Sequence, residues 1–401
     1  MNNIIKFLTA GSVDDGKSTL IGKLLYDTGS IYDDQIDQIK ELGNGEIDYS
    51  LFVEGLESER RQKITIDVAY RYFTHGENKF IIADSPGHEQ YTKNMAVAAA
   101  NSDIAVILID AKSGIKTQTV RHSYIAHLFG IKHFIIAVNK MDSVLYSQEI
   151  FKSIKKEYIN KTSFLVNRDI SFIPISAIKS DNIIALSSNT SWYKDKSLLD
   201  LLSSVKIKQR NQNNTRILVQ NVIKYENDRL YQAKLVSGSA VIGDKIITYP
   251  SQKTAIITNI IKASDTNISI VTNSDIDIDR GSVFVGDYIN FSNQFKADLI
   301  WFSDKIYKKE NYHSYAIKIN HNYIDANIHK INHKVNIDNI SYINANQIEQ
   351  NDIVNIDILL GQKTAFDSFS CNKFTGSFLL IDKNDNETLA VGLINQTNKI
   401  L

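Results

Sequence analysis

One stretch near the start of the chain has the residue types and spacing of a phosphate-binding loop. Residues 11–18 read Gly-Ser-Val-Asp-Asp-Gly-Lys-Ser, after an apolar run at 4–8 and before leucines at helical spacing. This motif requires such a strand and helix around it, and its backbone N–H groups point at phosphate oxygens. The predicted phosphate-binding residues are Gly11, Ser12, Val13, Asp14, Asp15, Gly16, Lys17, Ser18 and Thr19.

Three oxygen-bearing side chains are predicted to hold Mg²⁺. Ser18 follows Lys17, which we expect to reach the β- and γ-phosphates. Thr65 is expected to contact Mg²⁺ and the γ-phosphate, because a switch needs a group that lets go when this phosphate leaves. Asp84 ends the buried run 80–83, where a carboxylate can act on Mg²⁺ through water. Lys17 and Thr65 are also predicted to be catalytic.

The residues after this run are predicted to act on the γ-phosphate and the attacking water. Gly87 can offer its N–H to the γ-phosphate, and His88 follows at the reach needed to orient a water. A lone histidine after a turn is usually structural, but directly after Asp-x-Pro-Gly we expect a catalytic one. The nucleotide-binding residues predicted here are Asp84, Ser85, Pro86, Gly87 and His88.

A second group of residues is predicted to select guanine. Asn139-Lys140-Met141-Asp142 follows the apolar run 133–138. The Asp142 carboxylate can accept from guanine N1–H and N2–H₂, and adenine would leave it unpaired, which predicts GTP over ATP. Lys140 is expected over the ring plane, and Asn139 is expected to tie this segment to the phosphate loop. The backbone of Ser176 and Ala177 is expected to bond guanine O6.

Strand and helix patterns alternate through about residue 205, which predicts an α/β P-loop GTPase domain with a mainly parallel sheet. The motifs above fall at the carboxyl ends of its strands. A polar segment at 206–216 is predicted as a linker. Short β-branched runs separated by turn glycines then predict two small all-β barrel domains. The predicted domains are 1–208, 209–295 and 296–401.

Composition excludes several other classes of protein. The chain has 401 residues, with 45 Lys and Arg against 45 Asp and Glu, so no overall charge favours nucleic acid or a membrane surface. Its one cysteine, Cys371, excludes an internal disulfide and is expected to be a buried small hydrophobe. We find no signal-peptide pattern and no run of about 18 apolar residues, which favours a cytoplasmic protein.

The motifs resemble those of the translation-factor class of GTPases, which share Asp-x-Pro-Gly-His. Within that class, the chain is most similar to the large GTPase subunits of heterodimeric bacterial sulfate adenylyltransferases. The segments that carry this resemblance are 11–21, 64–73, 80–84, 86–95 and 130–133. The Asp-Val-Ala-Tyr-Arg-Tyr-Phe segment at 67–73 is the most discriminating, since translation factors do not carry it.

This resemblance implies a function and a partner. Such a subunit hydrolyses GTP with Mg²⁺ and forms a heterodimer with a smaller subunit that binds ATP and sulfate. Together they make adenylyl sulfate and pyrophosphate in sulfate assimilation. No nucleic-acid or membrane partner is implied.

Two alternatives stay open. An elongation-factor-like translational GTPase shares every nucleotide motif, and only the segment 67–73 and the lack of net basic charge argue against it. A GTP-binding scaffold with impaired hydrolysis is the other. Lys63 stands where the class usually has glycine, and Arg61 where it often has an acidic residue, so both bear on switch function.

Overall fold

A computed structural model describes residues 3–42, 47–53, 65–207, 214–225, 228–310 and 314–395. Arg61 and Lys63, on which the impaired-scaffold alternative depends, lie outside these ranges. The chain divides into two units, Met1–Ile207 with Asn336–Ser341, and Lys208–Val335 with Tyr342–Leu401.

The first unit contains a six-stranded sheet. Its strands are β1 (Asn3–Ala10), β2 (Ala69–His75), β3 (Asn78–Asp84), β4 (Ile104–Asp110), β5 (His133–Asn139) and β6 (Asp169–Pro174). Their order in the sheet is β2-β3-β1-β4-β5-β6. Neighbouring strands are parallel except at the β2 edge, which pairs antiparallel with β3. Every residue of β4 is buried, as expected for a central strand of a parallel sheet.

In this unit the phosphate-binding loop connects β1 to the first helix, α1 (Lys17–Asp27). The phosphate-loop helix α1 starts at Lys17, with Gly16 in a left-handed conformation before it. The other α-helices cover Asp33–Leu42 (α2), Thr92–Ala100 (α3), Thr117–Leu128 (α4), Gln148–Lys161 (α5) and Leu198–Ser204 (α6), and α1 covers Lys17–Asp27. None of the helices in the described ranges is both long and apolar enough to cross a membrane.

The second unit contains two antiparallel barrels. The strands of the first barrel are β7 (Arg216–Tyr225), β8 (Asp228–Ser237), β9 (Lys245–Tyr249), β10 (Thr254–Lys262), β11 (Asn267–Thr272) and β12 (Val283–Val285). The later strands are β13 (Asn290–Trp301), β14 (Tyr307–Lys308), β15 (Tyr315–Ile319), β16 (Asn322–Asn336), β17 (Ser341–Ile343), β18 (Gln347–Ile348), β19 (Ile353–Phe366), β20 (Ser377–Asp382) and β21 (Thr388–Ile394).

The barrels differ in how they close. The first is closed in the order β10-β11-β8-β7-β12-β9. The second runs β15-β20-β21-β13-β19-β16, is closed by pairing of β15 with β16, and carries β17 at its side. A further small sheet pairs β14 with β18.

The predicted fold class, a mainly parallel α/β domain followed by two β-barrels, is confirmed. The boundary proposed at 295/296 falls inside β13, and the predicted domain limits stay predictions.

A buried arginine joins the two barrels. Arg216, the last residue of the predicted linker, is the first residue of β7 and is 1% exposed. Its Nε and Nη2 atoms donate to the two carboxylate oxygens of Asp367, at 2.8 and 3.0 Å. Its Nη1 atom contacts Asp287, and Tyr288 O accepts a further bond at 2.8 Å. The charge is therefore neutralised by carboxylates from both barrels.

The prediction for Cys371 was wrong, since this thiol is exposed. The residue follows β19, and its backbone N–H donates to Ser368 O at 3.0 Å. This backbone turn, rather than apolar packing, sets its position.

We predict that Arg216→Met lowers the free energy of unfolding of the barrel unit by about 3–5 kcal/mol, because it leaves two carboxylates without their buried cation. The measurement is urea unfolding followed by tryptophan fluorescence, to which the buried Trp301 contributes. Arg229→Met is the matched control, since this arginine pairs with Asp275 and Asp277 at the surface. Equal midpoints for the two variants would contradict the role given to Arg216.

Candidate functional site

Two glycines let the loop between β1 and α1 pass close to neighbouring atoms. Gly11 has a φ of +147°, and a Cβ there would lie 2.7 Å from Leu108 O. Gly16 has a φ of +90°, and a Cβ there would lie 2.4 Å from Asn139 Nδ2. Any larger residue at either position would therefore displace backbone or a buried amide.

The Asn139 side chain joins three segments of the site. It is 1% exposed, its Nδ2 atom donates to Asp15 O at 2.9 Å, and its Oδ1 atom accepts from Ala177 N at 3.0 Å. The Ala177 N–H, which the sequence assigned to guanine O6, is thus engaged with Asn139. The Ser176 N–H donates to Asp181 O at 3.4 Å, so both amides hold their own loop in place.

A cavity of about 350 Å³ opens beside the amino end of α1. This is within the size range of small-molecule sites. Nine of the residues predicted from the sequence line it, and so do four that were not predicted. They are Val13, Asp14, Gly16, Lys17, Ser18, Thr19, Thr65, Gly87 and Lys140, and then Asp48, Ser50, Leu51 and Ile178.

Lys17 provides a buried cation at the floor of this cavity. Its Nζ atom donates to Gly11 O at 3.3 Å and to Ser12 O at 2.8 Å. Burial lowers the pKa of Lys17, while Asp84, Asp15 and Asp14 oppose that shift. Its present partners are backbone carbonyls, which phosphate oxygens can replace.

The predicted Mg²⁺ ligands include a close pair. Thr65 Oγ1 lies 3.5 Å from Asp84 Oδ2, and Thr9 Oγ1 donates to Asp84 Oδ1 at 3.2 Å. Ser18 and Thr65 line the same cavity. Two hydroxyls and one carboxylate are hard oxygen donors that fit Mg²⁺ when phosphate oxygens and water complete its shell. No group of three or more His, Cys, Asp or Glu suited to a metal occurs in the described ranges.

Gly87 and His88 differ in their relation to the cavity. A Cβ on Gly87 would lie 2.5 Å from Lys17 Nζ and 2.9 Å from Val13 N, so the absent side chain lets this backbone reach the phosphate loop. His88 Nδ1 instead accepts from Gln90 N at 3.3 Å and caps the turn Glu89–Tyr91. Among the described residues that line the cavity, His88 is absent. The structure thus does not bring this imidazole to the site.

The 139–142 segment presents Lys140 to the cavity. Lys140 has a φ of +59°, and its Nζ atom contacts Asp110 Oδ2 at 2.9 Å and donates to Asp14 O at 2.6 Å. Burial raises the pKa of Asp110, but bonds from Lys140 and the Lys112 N–H outweigh it and leave that pKa lowered. Met141 is buried and donates its N–H to Ile175 O at 3.1 Å. Asp142 follows in the same turn, outside the set of described residues that line the cavity.

The cavity wall formed by residues 48–51 depends on a glycine of α1. A Cβ on Gly22 would lie 1.8 Å from Tyr49 O. Lys23 Nζ donates to the Tyr49 hydroxyl at 3.2 Å and forms an ion pair with Asp27 at 3.0 Å. The ring centroids of Tyr26 and Tyr49 lie 5.4 Å apart. No motif marks these residues, because their position depends on contact with α1. Ile178 could have been found, since it directly follows Ser176-Ala177.

A buried histidine of α4 supports the start of the phosphate loop. His122 is 1% exposed, and its Nδ1 atom accepts from Gly11 N at 3.2 Å. Burial lowers its pKa to about 3, and Lys17 and Arg121 add to the effect. The ring therefore stays neutral and able to accept at neutral pH. The sequence does not reveal this role, because a histidine in a helix of mixed polar and apolar residues carries no signal of its distant partner.

Comparison with protein families gives two matches. The elongation factor Tu GTP binding domain matches residues 2–225, and the GTP-eEF1A C-terminal domain-like family matches residues 294–395. Together they span the α/β domain and the second barrel.

Individual relatives match nearly the whole chain. Sulfate adenylyltransferase subunit 1 of Francisella tularensis subsp. novicida is 42% identical over 408 residues, covering 98% of this chain and 86% of that protein. The protein of the same name from Saccharophagus degradans is 41% identical over 411 residues, with 98% and 86% covered. A solved bacterial selenocysteine-specific elongation factor is 19% identical with a TM-score of 0.47, covering 100% of this chain and 59% of that one. The last likeness is too weak to support a functional conclusion.

We predict that Asp142→Asn weakens GDP binding by about 100-fold and strengthens binding of xanthosine diphosphate (XDP). The new amide can donate to the oxygen that xanthine carries in place of the guanine amino group. Calorimetric titration with both nucleotides measures this. Asp195→Asn, on an exposed loop, should leave both affinities unchanged. A retained preference for GDP would rule out Asp142 as the base reader.

We also predict that His122→Asn flattens the acid dependence of stability. The folded pKa of His122 is about 3 and the ordinary value is 6.5, so the unfolded chain binds the extra proton between them. Stability present above about pH 6.5 is therefore lost as pH falls, with unfolding favoured about tenfold per pH unit for this group. Unfolding midpoints from pH 7 to 4.5 should fall less steeply in the variant, and the exposed His75→Asn should behave as wild type. Parallel curves for both variants would contradict a neutral buried His122.

Proposed function

This chain belongs to the sulfate adenylyltransferase subunit 1 family, a GTPase family of the translation-factor class, and we propose that it binds GTP with Mg²⁺ and hydrolyses it. The observation that carries this proposal is that phosphate-loop residues, Thr65, Gly87 and Lys140 line one cavity. These come from four separate segments of the chain. Such convergence of a cation, hydroxyls and loop amides suits a nucleoside triphosphate.

In this proposal the phosphates take the place of the carbonyls now bonded to Lys17. The N–H groups of residues 12–19 and the Lys17 ammonium bind the β- and γ-phosphates. Ser18, Thr65 and Asp84 would hold Mg²⁺, which when bound neutralises charge on the phosphate oxygens. Thr65, which lines the cavity, would lose a contact when the γ-phosphate leaves. Thr9 and Thr65 hold the Asp84 carboxylate through hydrogen bonds of 3.2 and 3.5 Å.

Guanine is proposed to lie between Lys140 and Ile178, which line the cavity on the 139–142 and 176–181 segments. Asp142 accepts from the base N1–H and N2–H₂ groups. Asn139 keeps its bonds to Asp15 and Ala177 and so fixes the distance between base and phosphates. Met141 and Ser176 hold the two segments through their backbone amides.

His88 is proposed to orient the attacking water after a change of rotamer. Its imidazole has to leave the Gln90 N–H and turn toward the γ-phosphate beside Gly87. That bond is 3.3 Å long and exposed, so losing it costs about 0.5–1.5 kcal/mol. The change of rotamer would be favoured once the γ-phosphate is bound next to Gly87, because His88 could then hydrogen-bond the attacking water there.

GTP hydrolysis is proposed to drive adenylyl sulfate formation on a smaller partner subunit. The relatives are named subunit 1 of sulfate adenylyltransferase, and we propose that the partner binds ATP and sulfate and forms a heterodimer with this chain. Exchange of a phosphoanhydride for a sulfate–phosphate anhydride is uphill. GTP hydrolysis can drive this exchange only if the GTP site and the adenylyl sulfate site both shift the same conformational equilibrium of the complex. The predicted cytoplasmic location stays a prediction.

The first experiment measures adenylyl sulfate made from ATP and sulfate by this chain co-purified with the small subunit. We expect product with GTP and little with a non-hydrolysable GTP analogue. GTP hydrolysis without adenylyl sulfate would favour the elongation-factor-like alternative. Absence of both reactions would favour the impaired scaffold, for which Lys63 is the residue to test.

We predict that His88→Ala lowers the rate of GTP hydrolysis by about 100-fold, the scale for a positioned group that handles a proton. GDP affinity should change little, because His88 lies outside the described cavity lining. Single-turnover hydrolysis measures the rate, with His75→Ala as a control on an exposed strand. An unchanged rate would remove His88 from the mechanism.

A further inference from the structure

The phosphate loop carries a negative charge where a polyanion is proposed to bind. Asp15 is 1% exposed, and its Oδ2 atom accepts from Ser12 N at 2.6 Å. This carboxylate shapes the turn of the loop. Its charge nevertheless opposes phosphate binding, since like charges in a partly dry site repel strongly.

A lysine from another segment lies against this carboxylate. Lys116 immediately precedes α4, and its Nζ atom lies 3.3 Å from Asp15 Oδ1 and 3.4 Å from Val13 O. Its side chain is 36% exposed, whereas that of Asp15 is 1% exposed. Lys116 is not among the described residues that line the cavity. The lysine therefore contacts the loop from its outer side and leaves the nucleotide face open.

The other cation near Asp15 has a different task. Lys17 also interacts electrostatically with the Asp15 carboxylate. In the proposed function, however, its ammonium group binds the β- and γ-phosphates. Its charge is then shared with the nucleotide. Lys116 is paired with Asp15 and lies outside the described cavity lining.

We propose that Lys116 is the counter-ion of Asp15, a positioning residue that lets a loop with a buried carboxylate attract the phosphates of a guanine nucleotide. The inference rests on the proposed nucleotide function. It assigns to Lys116 no contact with the nucleotide itself. The lysine acts by cancelling the charge of the Asp15 carboxylate.

The remaining groups around Asp15 do not replace this charge. Asn139 is neutral and bonds the Asp15 backbone. His122 bonds Gly11, where a Cβ would lie 3.1 Å from Asp15 Oδ2, and its pKa of about 3 keeps it neutral. Burial raises the pKa of Asp15, while the Ser12 bond, Lys116 and Lys17 lower it. Without Lys116, Lys17 is the remaining cation among the described residues that lower the pKa of Asp15.

The test is GDP binding by the full chain, measured by calorimetry at pH 8. Lys116→Met should weaken binding about tenfold at pH 8. Lys116→Arg should restore wild-type affinity. Lys112→Met is the matched control, because it removes the same charge from the same exposed loop, and it should stay within about twofold of wild type.

A double-mutant cycle separates the charge effect from loss of packing. In an Asp15→Asn background no carboxylate needs a counter-ion, so adding Lys116→Met should change GDP affinity less than about twofold. This comparison holds even if Lys116→Met alone folds poorly. A tenfold loss in that background, or wild-type binding by a folded Lys116→Met, would overturn the proposal. If the proposed nucleotide function itself were wrong, the wild-type protein would not bind GDP. That result can be told apart from a failure of the Lys116 proposal, in which wild type still binds GDP.

Discussion

The geometry of the nucleotide site depends on one buried amide. Asn139 stands at the end of β5 and bonds both the phosphate loop and the 176–181 loop. It can do so because the parallel sheet brings the ends of β1, β4 and β5 to the same edge, where Asp110 pairs in register with Asn139. Gly16 completes the arrangement, since any side chain there would meet the amide. Lys140, one residue further, can then reach both Asp110 and Asp14.

Much of this site could be predicted from the sequence, for a physical reason. The phosphate loop, the Asp84–His88 segment and the Asn139–Asp142 segment each follow a buried strand directly, so local pattern alone places them at one sheet edge. What could not be predicted depends on contacts between distant residues. Lys116 and His122 reach the phosphate loop from about one hundred residues away. The rotamer of His88 is set by a competing N–H within its own turn.

In the barrels too, the sequence predicts some features and does not reveal others. Alternating β-branched runs predict strands, yet they do not tell which side chains join them. The segment Leu230-Tyr-Gln-Ala, for example, lies within β8. The hydroxyl of its buried Tyr231 accepts from Ile276 N and donates to Ile276 O, each at 2.9 Å. One side chain thus satisfies both backbone groups of a residue outside the strands. Arg216 likewise reads as part of a polar linker, because its carboxylate partners are distant in the sequence.

The position of Arg216 has a consequence for how the chain is made. Its partner Asp367 lies 151 residues further along, so at roughly 5–20 residues per second the ribosome needs roughly 8–30 s to supply it. During that time the first barrel holds a guanidinium whose main acceptor has not yet been synthesised. Asp287 appears earlier and shields part of that charge. We expect the nascent first barrel to stay loosely closed, and final closure of both barrels to occur when synthesis is nearly complete.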